Sequence, residues 1–297
     1  MLKVAIIGAG SVGTAIGYLL KHSGYSIAGV ASRTIESAKR AVEFIGEGEA
    51  STDLKDVAKK AEIVFITTPD GKIEEVCRKL ASEDGFNSGA FVFHMSGALS
   101  SEILKYAKKV GANVASLHPL QSFANVQEAV RNIPGSYFCM EGDEAALSVA
   151  REIVSALNGK KLALKVGKKP LYHAGAAVAS NFLVATVEFG LELFEAAGID
   201  RQDAIISLMP LIKGTINNIE NLGIPSALTG PISRGDVGVI EDHLRTILQD
   251  KPESLRLYTE LGRYTVKIAV KKGTINDSDA ERIISLLDKY QKRLPCL

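Results

Sequence analysis

From residue 2 to about residue 166, short runs rich in Val, Ile, Leu and Ala alternate with segments of helical periodicity. The strand-like runs are Leu2–Ile7, Ser26–Ala31, Glu62–Thr67, Ala90–His94, Asn113–Leu117, Ser136–Met140 and Leu162–Val166. Between them, Ser11–His22, Ile35–Ile45, Lys72–Ala81, Ser100–Lys109 and Asp143–Leu157 place apolar residues at helix spacing. A strand, helix, strand repeat joins parallel strands through right-handed crossovers, so an α/β, doubly wound sheet is expected. After Lys168-Lys169-Pro170 the strand pattern stops. Leu171–Ala197, Arg201–Asn221, Asp236–Gln249, Pro252–Lys271 and Asp277–Lys292 all read as helices. Two domains are expected: a nucleotide-binding sheet domain over 1–167 and an all-helical domain over 168–297.

The chain is large enough for this division, with 297 residues of which 46% are hydrophobic and 23% charged. Its 35 Lys and Arg are balanced by 34 Asp and Glu, interleaved along the sequence, so neither nucleic acid nor an anionic membrane is an expected partner. The opening MLKVAIIG runs straight into a strand without a cleavage signal. The apolar stretch Ala174–Val187 contains Ser180, Asn181 and Thr186 and is too short to span a bilayer. A cytoplasmic location is expected. Cys77, Cys139 and Cys296 are odd in number and far apart, which fits reduced thiols, and no metal site is expected.

Residues 6–13, IIGAGSVG, join the first strand to the first helix and carry Gly8, Gly10 and Gly13. In this setting G-x-G-x-x-G is a dinucleotide-binding loop. The first glycine makes the tight turn, the second lets backbone approach a pyrophosphate, and the third lets the helix pack on its strand. The start of the helix at Ser11 and Val12 then offers free N–H groups to phosphate. The end of the second strand selects the cofactor. No Asp or Glu occurs between Lys3 and Glu36, and Ser32, Arg33 and Thr34 stand where an acidic residue would hold a ribose hydroxyl. A hydroxyl and a guanidinium suit a 2′-phosphate, so NADP(H) is expected, with a merely solvated Arg33 as the alternative.

Three later strand ends gather polar residues, and ligands of open α/β sheets bind at such ends. Thr67, Thr68 and Pro69 are expected to pass over the nicotinamide ribose, and Ser96 and Gly97 to follow the next strand. His118-Pro119 ends another, with Gln121 nearby on the pocket rim. His118 is the best acid/base candidate, with Ser96 as its hydroxyl partner; a strand-capping role is the alternative. His94 inside its strand is read as structural, and His22 and His243 as surface residues. On the long helix, His173 and Asn181 project from nearly the same face and are candidate substrate contacts, or else helix-packing residues. In LTGPISRGD, Arg234 is a candidate for an anionic substrate, or an ion-pair partner of Asp236, which is placed to cap the next helix.

Four stretches, HMSGALSSEIL, SLHPLQSF, YHAGAAVASNFLVA and LTGPISRGD, carry a resemblance over nearly the full length. The chain resembles a family of Rossmann-like proteins whose carboxy-terminal half is a domain of unknown function. More broadly it is similar to 6-phosphogluconate and 3-hydroxyisobutyrate dehydrogenases, pyrroline-5-carboxylate reductase and prephenate dehydrogenase. The resemblance implies a Rossmann domain, a helical dimerisation domain, a homodimer and NADP-linked oxidoreduction. The prephenate dehydrogenases have a serine after one strand and His-Pro after the next, which implies roles for Ser96 and His118. The hydroxyacid dehydrogenases use a lysine one turn before an asparagine; here Ala177 stands there relative to Asn181, against that mechanism. The resulting expectation is an oxidoreductase acting on a small anionic carbonyl or imine, a 2-oxo acid such as ketopantoate included. Two alternatives are an NADP(H)-binding sensor or scaffold without turnover and a deazaflavin-linked NADP oxidoreductase.

Overall fold

The computed structural model describes residues 2–165 and 167–293; Cys296 lies outside them. Its strands are β1 (Lys3–Ile7), β2 (Ser26–Ala31), β3 (Glu49–Ser51), β4 (Ile63–Ile66), β5 (Phe91–His94), β6 (Asn113–Pro119), β7 (Tyr137–Gly142) and β8 (Lys160–Ala163). They form one sheet in the order β3-β2-β1-β4-β5-β6-β7-β8. The connecting helices are α1 (Ser11–His22), α2 (Ile35–Ile45), α3 (Leu54–Lys59), α4 (Asp70–Ser82), α5 (Lys105–Lys109), α6 (Val126–Asn132) and α7 (Glu144–Ala156). Helices α8 (Lys169–Ala196), α9 (Arg201–Leu222), α10 (Val237–Asp250), α11 (Leu255–Lys272) and α12 (Asp277–Gln291) follow.

Strand residues alternate between two apolar cores, as the period of a strand requires. Ile6, Val30, Phe65, Phe93 and Leu117 face one core, whereas Ala5, Ile7, Val64, Ile66 and Val92 face the other. Burial on both faces explains the near-continuous apolar runs of β1 and β4. Phe65 and Phe93 stack across β4 and β5 with centroids 5.3 Å apart.

One pairing departs from the all-parallel expectation: β7 runs antiparallel to β6. The link between them holds only α6, a helix of 7 residues. This link does not carry the chain back to the start of β6. It turns back at the same end instead, with Ala129 of α6 buried in the first core. Helix α7 then makes the full crossover, and β8 lies parallel to β7. The segment 100–109, expected as one helix, is a 3-10 turn (Ser101–Leu104) followed by α5.

The chain divides into two compact units, Met1–Asn181 and Phe182–Leu297. The first turns of α8 belong by their contacts to the sheet unit. The second unit has its own cores, one of Ile240, Leu244, Leu255, Ile283 and Leu287, and a smaller one around Leu191, Ala204 and Leu208. Helix α8 is 28 residues long, so it extends well past Ala174–Val187 and is long and apolar enough, by length and composition, to cross a membrane.

Candidate functional site

The turn from β1 to α1 shows why each of its glycines is there. Gly8 has φ +123°, which a residue with a Cβ rarely adopts, and a Cβ there would lie 2.8 Å from the Thr67 carbonyl carbon. A Cβ on Gly13 would collide with the Gly8 carbonyl and the Thr67 hydroxyl. Gly10 differs, because a Cβ there would meet nothing within 4 Å and its φ of −82° is open to any residue. Neither packing nor backbone explains that glycine, and the space beside it leaves the main chain open to approach. Helix α1 also starts with no side-chain cap and no acidic residue in its first turn, so the N–H groups at Ser11, Val12 and Gly13 are left for an anion.

Thr67 and Thr68, at the end of β4, split their roles. The Thr67 hydroxyl donates to the Gly8 carbonyl at 2.8 Å and latches the glycine turn to the neighbouring strand. The Thr68 hydroxyl is buried and has no hydrogen-bond partner among the described residues. Buried hydroxyls are nearly always satisfied, so this one has capacity left for a partner from outside the chain. It lines a cleft of about 120 Å³ with Val12, Ile66, Thr67, Asp70, Met95 and Ser96, and Pro69 forms the cap before α4. These observations fit a dinucleotide cofactor. At the end of β2, Ser32 ties its N–H to Ser51, and the Thr34 hydroxyl caps α2 by accepting from the Ser37 N–H. Arg33 is exposed and forms no ion pair among the described residues.

A second polar group surrounds the ends of β5 and β6. His94 is fully buried: its Nδ1 accepts from the Ser96 N–H at 3.2 Å, so Nε2 carries the proton and donates to the Ser100 carbonyl. Burial, reinforced by the Lys169 charge, drives it down to about 3, and it holds the turn as a neutral ring. The Ser96 hydroxyl donates to Asp70 at 2.8 Å and accepts from the N–H groups of Ala98 and Leu99. His118 therefore has a different hydroxyl partner from the Ser96 that the sequence points to. Its Nδ1 lies 3.0 Å from the Tyr172 hydroxyl. Ser96 is already held on three sides, and Tyr172 reaches the ring from the first turn of α8. Burial first, then the charges of Lys169 and His173, hold His118 at about 4, so it is neutral at pH 7. Burial raises Tyr172, which stays protonated.

His173, four residues after Lys169, sits edge-on to His118 with ring centroids 6.3 Å apart. Gly97 makes this approach possible, since a Cβ there would lie 2.6 Å from the His173 ring and 2.8 Å from His118 Nε2. Gln121 is engaged locally, donating to the Ser136 hydroxyl at 3.3 Å and accepting from the Ser122 N–H. Asn181 is exposed on α8. Arg234 belongs to the second unit, where it ends a 3-10 turn and makes no ion pair with Asp236. Asp236 caps α10 instead, accepting from the Val239 N–H at 3.2 Å. Sequence reading missed Lys169 and Tyr172; a lysine in a KKP stretch looks solvated, yet Lys169 is only 1% exposed. Among the described residues, no cluster of His, Cys, Asp or Glu could hold a metal ion.

Known proteins match both halves of the chain. Residues 1–119 match a Rossmann-like domain, and residues 136–265 match the domain of unknown function DUF2520. A solved protein from Thermotoga maritima is 31% identical, with a TM-score of 0.72 over 91% of this chain and 99% of that one. A Bacteroides fragilis protein described as a candidate NADP oxidoreductase is 24% identical, with a TM-score of 0.72 over 90% of this chain and 98% of that one; this likeness is one of fold. The 2-dehydropantoate 2-reductase of Archaeoglobus fulgidus is 30% identical over 118 residues, 38% of this chain and 39% of that protein. The chain spans about two fifths of the length of the curated relatives it matches. The two curated relatives are named as a 2-dehydropantoate 2-reductase and a glycerol-3-phosphate dehydrogenase.

Proposed function

This chain belongs to the family that joins a Rossmann-like domain to DUF2520, and from that premise we propose that it is an NADP(H)-dependent oxidoreductase. The substrate in this reading is a small anionic carbonyl or imine compound, with 2-oxo acids such as ketopantoate first in line. One observation carries the cofactor half: Gly10 faces open space above an uncapped helix start. The pyrophosphate would rest on the N–H groups of Ser11, Val12 and Gly13, with Gly8 shaping the turn. Arg33, with Ser32 and Thr34, would meet a 2′-phosphate. Thr68, Pro69, Ser96 and Gly97 would border the nicotinamide end, where Thr68 offers its unpaired hydroxyl. When bound, the nicotinamide supplies or accepts the hydride.

His118 handles the proton in this reading, because a neutral ring near pH 7 has a free lone pair or N–H to offer. The Tyr172 hydroxyl at Nδ1 fixes the ring, and Gly97, lacking a side chain, is what lets the turn pack against its Nε2 side. Ser96, bonded to Asp70, shapes the floor rather than touching His118. His173, Asn181 and Gln121 are the proposed substrate contacts in the sheet unit, and Arg234 of the second unit is kept as a candidate for an anionic group. We further propose a cytoplasmic homodimer formed through the helical half, where Val184 and Leu211 are 71% and 65% exposed.

The test is NADPH oxidation by the full chain across a panel of 2-oxo acids and cyclic imines, with His118→Ala alongside. Turnover of one compound, reduced at least 100-fold in the variant, supports both cofactor and acid. Binding of NADPH with no turnover on any compound would favour a sensor instead.

A further inference from the structure

Lys169 is 1% exposed and forms no ion pair among the described residues. A buried ammonium without a carboxylate partner is costly and persists where its hydrogen bonds organise something. This one donates to the Ser96 carbonyl at 2.7 Å and to the Ser116 hydroxyl. Ser96 follows β5, and Ser116 lies in β6, two residues before His118. One side chain from the first turn of α8 therefore ties together the ends of two adjacent strands.

The next residues of that turn complete the cluster. Positions three and four along a helix share a face with the first, so Tyr172 and His173 follow wherever Lys169 is anchored. Tyr172 bonds His118 Nδ1, and His173 closes edge-on against the same ring. Gly97, next to the carbonyl that Lys169 holds, packs so closely on both histidines that the turn and the rings share one fit. We propose that Lys169 is the positioning residue of this site: its ammonium pins the start of α8 across the ends of β5 and β6, so that Tyr172 and His173 meet His118 in one orientation. Its consequence for turnover rests on the oxidoreductase reading above; the positioning itself does not.

The charge acts on the ring as well as the geometry does. Lys169 and His173 both face His118 and oppose its protonation, beyond the effect of burial. Cys139 and Glu141 of β7, and Asp70 of α4, face Lys169 and favour its charge, while burial lowers it to about 8.

The experiment is a nitrogen-15 NMR titration of the imidazoles in the full-length chain and in Lys169→Met, which keeps length and loses charge. The expected result is that the His118 midpoint rises above about 4, with burial still holding it below the ordinary 6.5, and that its Nδ1 signal changes. NADPH affinity should stay within about twofold, and on any substrate found, kcat should fall at least tenfold with little change in KM for NADPH. A folded Lys169→Met with an unchanged His118 signal would overturn the proposal. The wild-type chain gives a second, fold-independent reading: between pH 7 and 10 the His118 Nδ1 signal should move with a midpoint near 8, as Lys169 loses its proton. A flat signal across that range contradicts it. None of these spectra requires turnover, so a failed enzyme assay and a failed positioning role are told apart.

Discussion

Two polar assemblies occupy the same end of the parallel strands, and they are built in opposite ways. The glycine turn after β1 leaves hydrogen-bonding capacity unused: α1 starts with no side-chain cap, Gly10 looks into open space and, among the described residues, the Thr68 hydroxyl has no partner. The cluster after β5 and β6 uses its capacity internally, with Lys169, Ser96, His94 and Tyr172 each bonded to a neighbour. The first is shaped for something to arrive, and the second holds side chains still. A site for hydride transfer needs both, since rate depends on how well the reacting partners are oriented as well as on how tightly they are held.

The comparison can be broken from either side. The largest effect is expected inside the glycine turn: Gly13→Val forces a collision with the Gly8 carbonyl and the Thr67 hydroxyl, and should cost about 3 kcal/mol in urea unfolding. A variant of wild-type stability would show that the turn is looser than its packing.

Acid tests the other assembly. His94 and His118 sit at about 3 and about 4 in the folded chain, below the ordinary 6.5. The unfolded chain binds their protons first, so their contribution is complete above pH 6.5 and is lost as pH falls toward 4 and 3. Stability should drop by roughly 2 kcal/mol between pH 6.5 and 5.5. The loss should shrink in His94→Asn, and a pH-independent urea midpoint would argue that these rings are already hydrated.

Smaller effects sharpen the contrast. Arg33→Ala should raise the KM for NADPH about tenfold and leave that for NADH unchanged, because in the proposed reading only a 2′-phosphate meets the guanidinium. Equal effects on both cofactors would point to a loop role for Arg33. Thr67→Val removes the 2.8 Å bond to Gly8 and should cost about 1 kcal/mol of stability.

The same contrast explains what could be read from the sequence. The glycine turn is contiguous, and the flanking helices α1 and α2 begin and end where their periodicity places them, at Ser11–His22 and Ile35–Ile45. The second assembly draws on Asp70, His94, Ser96, Ser116, His118, Lys169 and Tyr172, a span that no local pattern links. His118 and Ser96 were visible as strand-end polar residues. Lys169 was hidden, because a lysine beside Lys168 and Pro170 carries no sign that it is buried. Short elements escaped for a related reason: β3 has 3 residues and α3 has 6, too few to establish a period. The reversal of β7 follows a link that holds only α6, a helix of 7 residues too short to show in the periodicity.

The most direct measurement is an NADPH binding titration of the wild-type chain and of Gly10→Val, followed by fluorescence, with unfolding curves recorded on the same samples. A side chain at position 10 meets no protein atom, so stability should change by less than about 0.5 kcal/mol. Wild-type chain that binds NADPH, and a variant of equal stability whose affinity falls at least tenfold, is the predicted result. Equal affinity in both proteins, or no binding by the wild type, would contradict the assignment of this turn as the cofactor site.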